Sequence, residues 1–131
     1  MKLTDESKSF HYGVYTTVSQ IPFGKVTSYG HIAYLLSKPQ NSRQVGSSLK
    51  NLTAIIKELN ADLDTESEMY IDINSVPWWR VLSSSGKISP RENSNGEYIQ
   101  ADRLTDEGVH VSNSHIVDIE EFGWFPDEVD L

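Results

Sequence analysis

The chain has no cysteine among its 131 residues. That absence excludes disulfides, thiolate metal sites and a cysteine nucleophile. No apolar run approaches the roughly 18–20 residues that a membrane span needs, and the opening MKLTDESKSF lacks the apolar core of a signal peptide. There is no glycine-rich phosphate loop, and no serine lies in a nucleophile elbow. The histidines His11, His31, His110 and His115 lack metal-ligand spacing. Each reads as a surface residue or a hydrogen-bonded core residue, and neither a metal nor a cofactor is expected.

What is present fits one globular domain. The apolar fraction is 37%, in the range of ordinary folded chains rather than disordered ones, and this length supports a single modest core. Net charge is −8, which taken whole argues against a nucleic-acid partner. The charge is unevenly spread. Residues 1–52 are net +4, residues 53–75 net −5, residues 76–105 net +1 and residues 106–131 net −8. The acidity sits in one internal segment and the tail, and a partner responds to the local field rather than to the sum.

Thr4 or Asp5 is placed to cap a first helix whose Phe10, Val14, Val18 and Ile21, with Tyr15, recur at helical spacing and end near Pro22. Pro22 to Lys25 reads as a turn and Val26-Thr27 as briefly extended. Ser28 caps a second helix with Ile32, Ala33, Leu35 and Leu36 on its apolar face, closed by Pro39. Asn41 or Ser42 caps a third, along which Val45, Leu49 and Leu52 align and Gly46 and Ser47 permit close approach. Ile55, Ile56 and Leu59 extend that helix, and the acidic stretch within 53–75 reads as a mobile, solvated insertion. Arg80 to Leu82 and Lys87 to Ser89 form a short β-hairpin about Ser83–Gly86. Asn95 caps a last long helix ended by Gly108, and a small hairpin turns about 112–114. The tail, residues 120–131, is aromatic and acidic and is expected on the surface.

Two short helices joined by a tight connection suggest a helix-turn-helix, although helical hairpins are common. These elements are mainly α, with a helix-turn-helix and a short β-hairpin. Val76-Pro77-Trp78-Trp79-Arg80-Val81 stands at their centre. Two adjacent tryptophans are by themselves a core pair, each N–H seeking a partner.

Four ordered pieces alter that reading: Ile21-Pro22-Phe23-Gly24-Lys25-Val26-Thr27-Ser28-Tyr29-Gly30, Arg43-Gln44-Val45-Gly46, Val76 to Val81, and Ser85-Gly86. Together they resemble the C-terminal DNA-binding domain of the O6-alkylguanine-DNA alkyltransferases, which implies a mainly α, winged-helix-like DNA-binding domain with a helix-turn-helix and a short β-hairpin. The resemblance spans nearly the whole chain except 53–75 and the last few residues. The active enzymes carry Pro-Cys-His-Arg where this chain has Pro77-Trp78-Trp79-Arg80. An indole N–H is a donor only, so neither alkyl acceptance nor proton relay is available. Tryptophan at the cysteine position is similar to the alkyltransferase-like proteins, which bind the lesion without chemistry and pass it to nucleotide excision repair. The second tryptophan departs from the expected Trp-His-Arg. Glu107 matches the acid of the enzymes' hydrogen-bond network, and here it is expected to have no histidine to orient.

The resemblance implies further roles. Arg43 matches the arginine finger that fills the hole left by a flipped nucleotide, and Tyr29 the tyrosine pressed on that nucleotide's phosphate. Ser28, Gln44 and Lys50 contact backbone phosphates, which position without reading sequence. Arg91, thirteen residues after Trp78, matches the arginine of the alkyltransferase-like pocket, suited to cation–π contact with the flipped purine. Trp78, Arg91, Val81, Leu49 and Tyr29 form the lesion pocket. The expected partners are duplex DNA containing O6-alkylguanine, bound through the minor groove, and nucleotide excision repair proteins. The chain is expected to be an intracellular monomer with no membrane partner, nuclear in a eukaryote or in the cytoplasm with the nucleoid in a bacterium. Two other readings stay open. One is a protein–protein module that has lost lesion binding. The other is a lyase or glycosylase using Lys87 as its amine.

Overall fold

Thr4 starts the first helix: its side-chain oxygen accepts the Ser7 N–H at 3.1 Å. Asp5 and Glu6 complement the positive helix end. This helix, α1, runs Asp5–Val18. It buries Val14, Tyr15 and Val18, with Phe10 packed at the edge, so the expected stripe lies inward. The computed structural model describes residues 3–90 and 95–131.

After the Pro22–Lys25 turn comes a two-residue strand, β1 (Thr27–Ser28), and then α2 (Tyr29–Leu35). The Ser28 hydroxyl accepts the His31 N–H at 3.0 Å, the expected cap. Pro39 does not itself end α2, which stops at Leu35. Pro39 instead opens a tight turn, Pro39–Asn41, that leads into α3 (Ser42–Lys50). Helices α2 and α3 pack directly on one another, the helix-turn-helix.

The expectation that Ile55, Ile56 and Leu59 prolong α3 is corrected. The helix breaks at Asn51, whose side-chain amide donates to the Ser47 carbonyl at 3.1 Å, and a separate α4 (Leu52–Leu59) begins. Leu52, Ile55 and Ile56 are buried, so the expected apolar residues of this stretch are helical and lie in the core. Farther on, the Asn60 side chain donates to the Ile71 carbonyl at 2.8 Å and accepts the Ile71 N–H at 3.0 Å, closing the acidic stretch into a loop on the helix end.

The β-structure also differs from the expected hairpin. Strand β2 (Val81–Leu82) pairs with β1 in parallel, Thr27 opposite Val81 and Ser28 opposite Leu82. The turn after β2 is closed by the Ser83 N–H on the Lys87 carbonyl at 3.2 Å, and Lys87 bridges Ile116 rather than a neighbouring strand. Gly86 holds this turn at φ 86°. A Cβ there would lie 2.2 Å from the Val117 carbonyl oxygen, so only glycine fits. Helix α5 (Gly96–Asp106) ends before Gly108, at φ 83°. The second expected hairpin is a tight turn in which His115 and Ile116 bond back to Ser112.

The tail is more than a surface coating. It forms a single-turn helix, α6 (Ile119–Phe122). Beyond it, Val26 donates to the Phe122 carbonyl at 2.9 Å and accepts the Trp124 N–H at 2.7 Å. Trp124 packs on the helical core. Two apolar cores result, one built by α1–α4 with Val76 and Val81 and another by Val26, Leu82, Ile88, Ala101, Leu104, Val109 and Val117.

Candidate nucleic-acid interface

A groove of about 1310 Å³ runs between α3, the α3–α4 corner, Trp78, Ser89-Pro90 and the start of α5. Tyr29, Arg43, Leu49, Lys50 and Trp78 all line it. Among the described residues of its wall Arg43 and Lys50 are the only charged ones, and no Asp or Glu appears there. The volume exceeds the roughly 300–1,000 Å³ that holds a drug-sized ligand, leaving space for a nucleotide and a substituent.

The helices explain the arrangement. Tyr29 is the first residue of α2, immediately after the Ser28 cap, and its ring lies over Gly46 of α3. Even an added Cβ at Gly46 would stand 3.8 Å from the ring. Arg43, in the first turn of α3, is exposed. Leu49 and Lys50 lie about two helical turns on, where the helical period returns them toward the Arg43 side.

Not every expected residue reaches the groove. Val81 is 1% exposed and sits in the helical core, where β2 pairing places it, so it backs the wall instead of lining it. The Ser28 hydroxyl is buried and occupied as the α2 cap. Gln44 points to a separate cleft of about 260 Å³ shared with Glu6, Phe10, His11 and Lys38, because one step along a helix turns the side chain by roughly 100°. Arg91 lies outside the described residues. Ile99, 45% exposed, was not singled out by the sequence and lines the groove from α5.

The two tryptophans occupy different environments. Trp78 packs against the helical core and Trp79 against the second core, their rings edge to face at 5.9 Å and 86°. Trp79 donates its indole N–H to Glu107 Oε2 at 2.7 Å. Glu107 has no histidine to orient and holds the Trp79 indole instead; its side chain is 6% exposed. Arg80 Nη2 donates to the same oxygen at 2.8 Å, Arg80 Nε to Oε1 at 3.0 Å, and the Gly24 N–H to Oε1 at 2.9 Å. Burial pushes the Glu107 carboxyl up, but the bonds from Arg80, Gly24 and Trp79 and the arginine charge outweigh it, so the pKa lies below the ordinary value. Arg103 of α5 stands 4.6 Å from the Trp79 ring centroid and 6.0 Å from that of Trp78, within cation–π range. Its signal in the sequence is its position four residues before Glu107, on the same helix face.

The remaining candidates are accounted for structurally. Lys87 is exposed and donates to the Ser114 carbonyl at 3.3 Å. His11 meets the Ser48 hydroxyl at 2.6 Å, His31 the Pro126 carbonyl at 2.7 Å, and His115 pairs with Glu97. Among the described residues no group of three or more histidines or acids could hold a metal, and no helix is long and apolar enough to cross a membrane.

Comparison with known proteins places the chain in a family. The family model for the 6-O-methylguanine DNA methyltransferase DNA-binding domain matches residues 9–109. Alkyltransferase-like protein 1 of Schizosaccharomyces pombe is 36% identical over 121 residues, covering 89% of this chain and 95% of that protein. The DNA base-flipping protein of Escherichia coli is 34% identical over 130 residues, covering 94% of this chain and 84% of that one. The crystal structure of the S. pombe alkyltransferase-like protein in complex with damaged DNA containing O6-carboxymethylguanine superposes with a TM-score of 0.68 at 35% identity, covering 95% of this chain and all of that one. These relatives are named for resembling alkyltransferases or for flipping bases, not for transferring alkyl groups. The chain belongs to the 6-O-methylguanine DNA methyltransferase DNA-binding-domain family, alongside its alkyltransferase-like and base-flipping members.

Proposed function

We propose that this protein binds O6-alkylguanine in duplex DNA from the minor groove, receives the flipped base in the Trp78 groove, and leaves the alkyl group in place. The observation that carries the reading is the groove that joins Tyr29, Arg43, Leu49, Lys50 and Trp78, with no Asp or Glu among the described residues of its wall. Flipping costs a few kcal/mol of stacking and pairing. Arg43 offsets part of it, because a guanidinium can both stack in the gap and donate to the bases around it. Tyr29 stands across the groove where it can press on the displaced phosphate, and Lys50 adds sequence-independent attraction to the backbone. Trp78 supplies a flat apolar wall for the purine or its substituent.

Trp78 stands where the transferring enzymes hold their cysteine and Trp79 where they hold the relay histidine. With no thiol anywhere in the chain, the lesion is bound and kept. Ser28 and Gln44 are weaker candidates for phosphate contact than Arg43 and Lys50, given the cap and the separate cleft. Arg91 remains the proposed cation over the purine, and the whole chain acts as one domain. A bound, unrepaired lesion needs a second activity to remove it, so nucleotide excision repair proteins are the proposed partners. The protein acts as an intracellular monomer, in the nucleus of a eukaryote or with the nucleoid of a bacterium.

The test compares affinity for O6-alkylguanine duplexes against an unmodified duplex and weighs the recovered protein. Selective binding with unchanged mass is expected. A mass gain would overturn the non-enzymatic reading, and no binding to any duplex would favour a protein–protein module.

A further inference from the structure

The groove wall is set from behind. Trp78 meets Trp79 edge to face at 5.9 Å, so the position of one ring limits the other. Trp79 in turn is fixed at its polar end by the bond to Glu107 and over its face by Arg103. Glu107 joins three separate segments: the Pro22–Lys25 turn through Gly24, the Trp78–Arg80 turn, and the end of α5. The charged groups that contact Trp79 among the described residues are Arg80, Arg103 and Glu107. None of the donors on Glu107 changes protonation near neutral pH. An indole N–H does not titrate there, a guanidinium stays charged, and the third donor is a backbone amide.

We propose that Trp79 is a positioning residue that holds Trp78 in the groove wall, and that its indole, in place of a titrating side chain, makes lesion discrimination independent of pH across the neutral range. A histidine at this position would also reach Glu107 with an N–H, but it would gain a second proton near pH 6.5. That proton would add a positive charge beside Arg80 and Arg103 and beside the carboxylate together, and the ring's bonding and stacking would change with pH. The indole removes that variable and adds a larger face for Arg103 and Trp78. This inference rests on the proposed lesion binding, and its test separates the two.

The experiment measures the ratio of affinities for an O6-methylguanine duplex and the same duplex unmodified, from about pH 6 to about pH 9. It uses the wild type, Trp79→Phe and Trp79→His, with thermal melts of each. Using the ratio cancels pH effects on general DNA attraction. The wild-type ratio should be flat. Trp79→Phe keeps a ring and loses the N–H, and its ratio should fall about tenfold, about 1.4 kcal/mol, at every pH. Trp79→His should recover most of that loss at high pH and show a step near pH 6–7. A wild-type ratio that varies more than about threefold over the range overturns the inference without any variant. So does a Trp79→Phe ratio equal to wild type, or a Trp79→His profile without a step. A wild-type ratio of one at all pH values instead overturns the lesion-binding reading itself.

Discussion

The helical core and the second core meet at Trp78-Trp79, and they are held in different ways. Four helices build the first core from apolar stripes, with Val14, Val18, Ile32 and Val45 fully enclosed. The second core has one long helix, α5, and several loop segments, and polar groups pin it. Gln100, fully buried, donates to the Trp79 carbonyl at 3.1 Å and the Val81 carbonyl at 3.0 Å. Glu107 ties the Pro22–Lys25 turn and the Trp78–Arg80 turn to the end of α5. Apolar packing is non-directional and tolerates replacement by other apolar groups of similar volume. A buried carboxylate with four donors is directional and tolerates little. The groove lies at the junction, with Tyr29, Arg43 and Leu49 from the first region, Ile99 from α5, and Trp78 between them.

The sharpest way to break this contrast is Glu107→Ala. It leaves the Trp79 N–H, the Gly24 N–H and the Arg80 guanidinium without their shared acceptor, and Arg80 is itself only 13% exposed. Removing one partner of a buried pair costs about 3–5 kcal/mol. Chemical denaturation should show a loss of that size and a wild-type slope. A loss under about 1 kcal/mol would mean that the junction behaves as a surface ion pair and that Trp79 is held by packing alone.

Arg43→Ala should do the reverse. Arg43 is exposed at the start of α3, so folding stability should change by less than about 0.5 kcal/mol. Duplex affinity should fall by about 1–3 kcal/mol, measured by titration at fixed salt. An equal loss of stability and binding would merge the two regions into one.

How far the sequence foretold these regions follows from the kind of force in each. The α1 and α2 stripes and the Thr4 and Ser28 caps are local patterns, and they lie where periodicity put them. The break at Asn51 carries no proline or glycine to announce it; a side-chain bond to Ser47 supports it. The parallel pairing of Thr27 with Val81 joins residues 54 apart and has no local signature. On the site, Tyr29, Arg43, Leu49 and Trp78 line one groove, whereas Val81 and Gln44 turn away. The bond from Trp79 to Glu107 had no signal in the sequence, because an indole can replace a histidine as a donor even though it cannot replace it as a base.

Acid should separate the two regions with the smallest effect of the three. His11 lies on the helical side, its Nδ1 on the Ser48 hydroxyl at 2.6 Å, and burial lowers its pKa from the usual 6.5. In the unfolded chain it takes up a proton at the ordinary value, so between the two values the unfolded state binds more protons and stability falls as pH falls. Glu107 is also depressed, from 4.5. Its contribution is present above that value and is lost only as pH drops through the lower folded one. The helical region should therefore weaken first, between about pH 7 and pH 5, and the Glu107 junction only below that. Melting temperatures of wild type and His11→Gln, measured across this range, test the order. The glutamine can still bond Ser48 and cannot titrate, so the decline above pH 5 should shrink in the variant while the steeper acid loss stays. An unchanged decline in His11→Gln would move the first acid-sensitive group elsewhere in the chain.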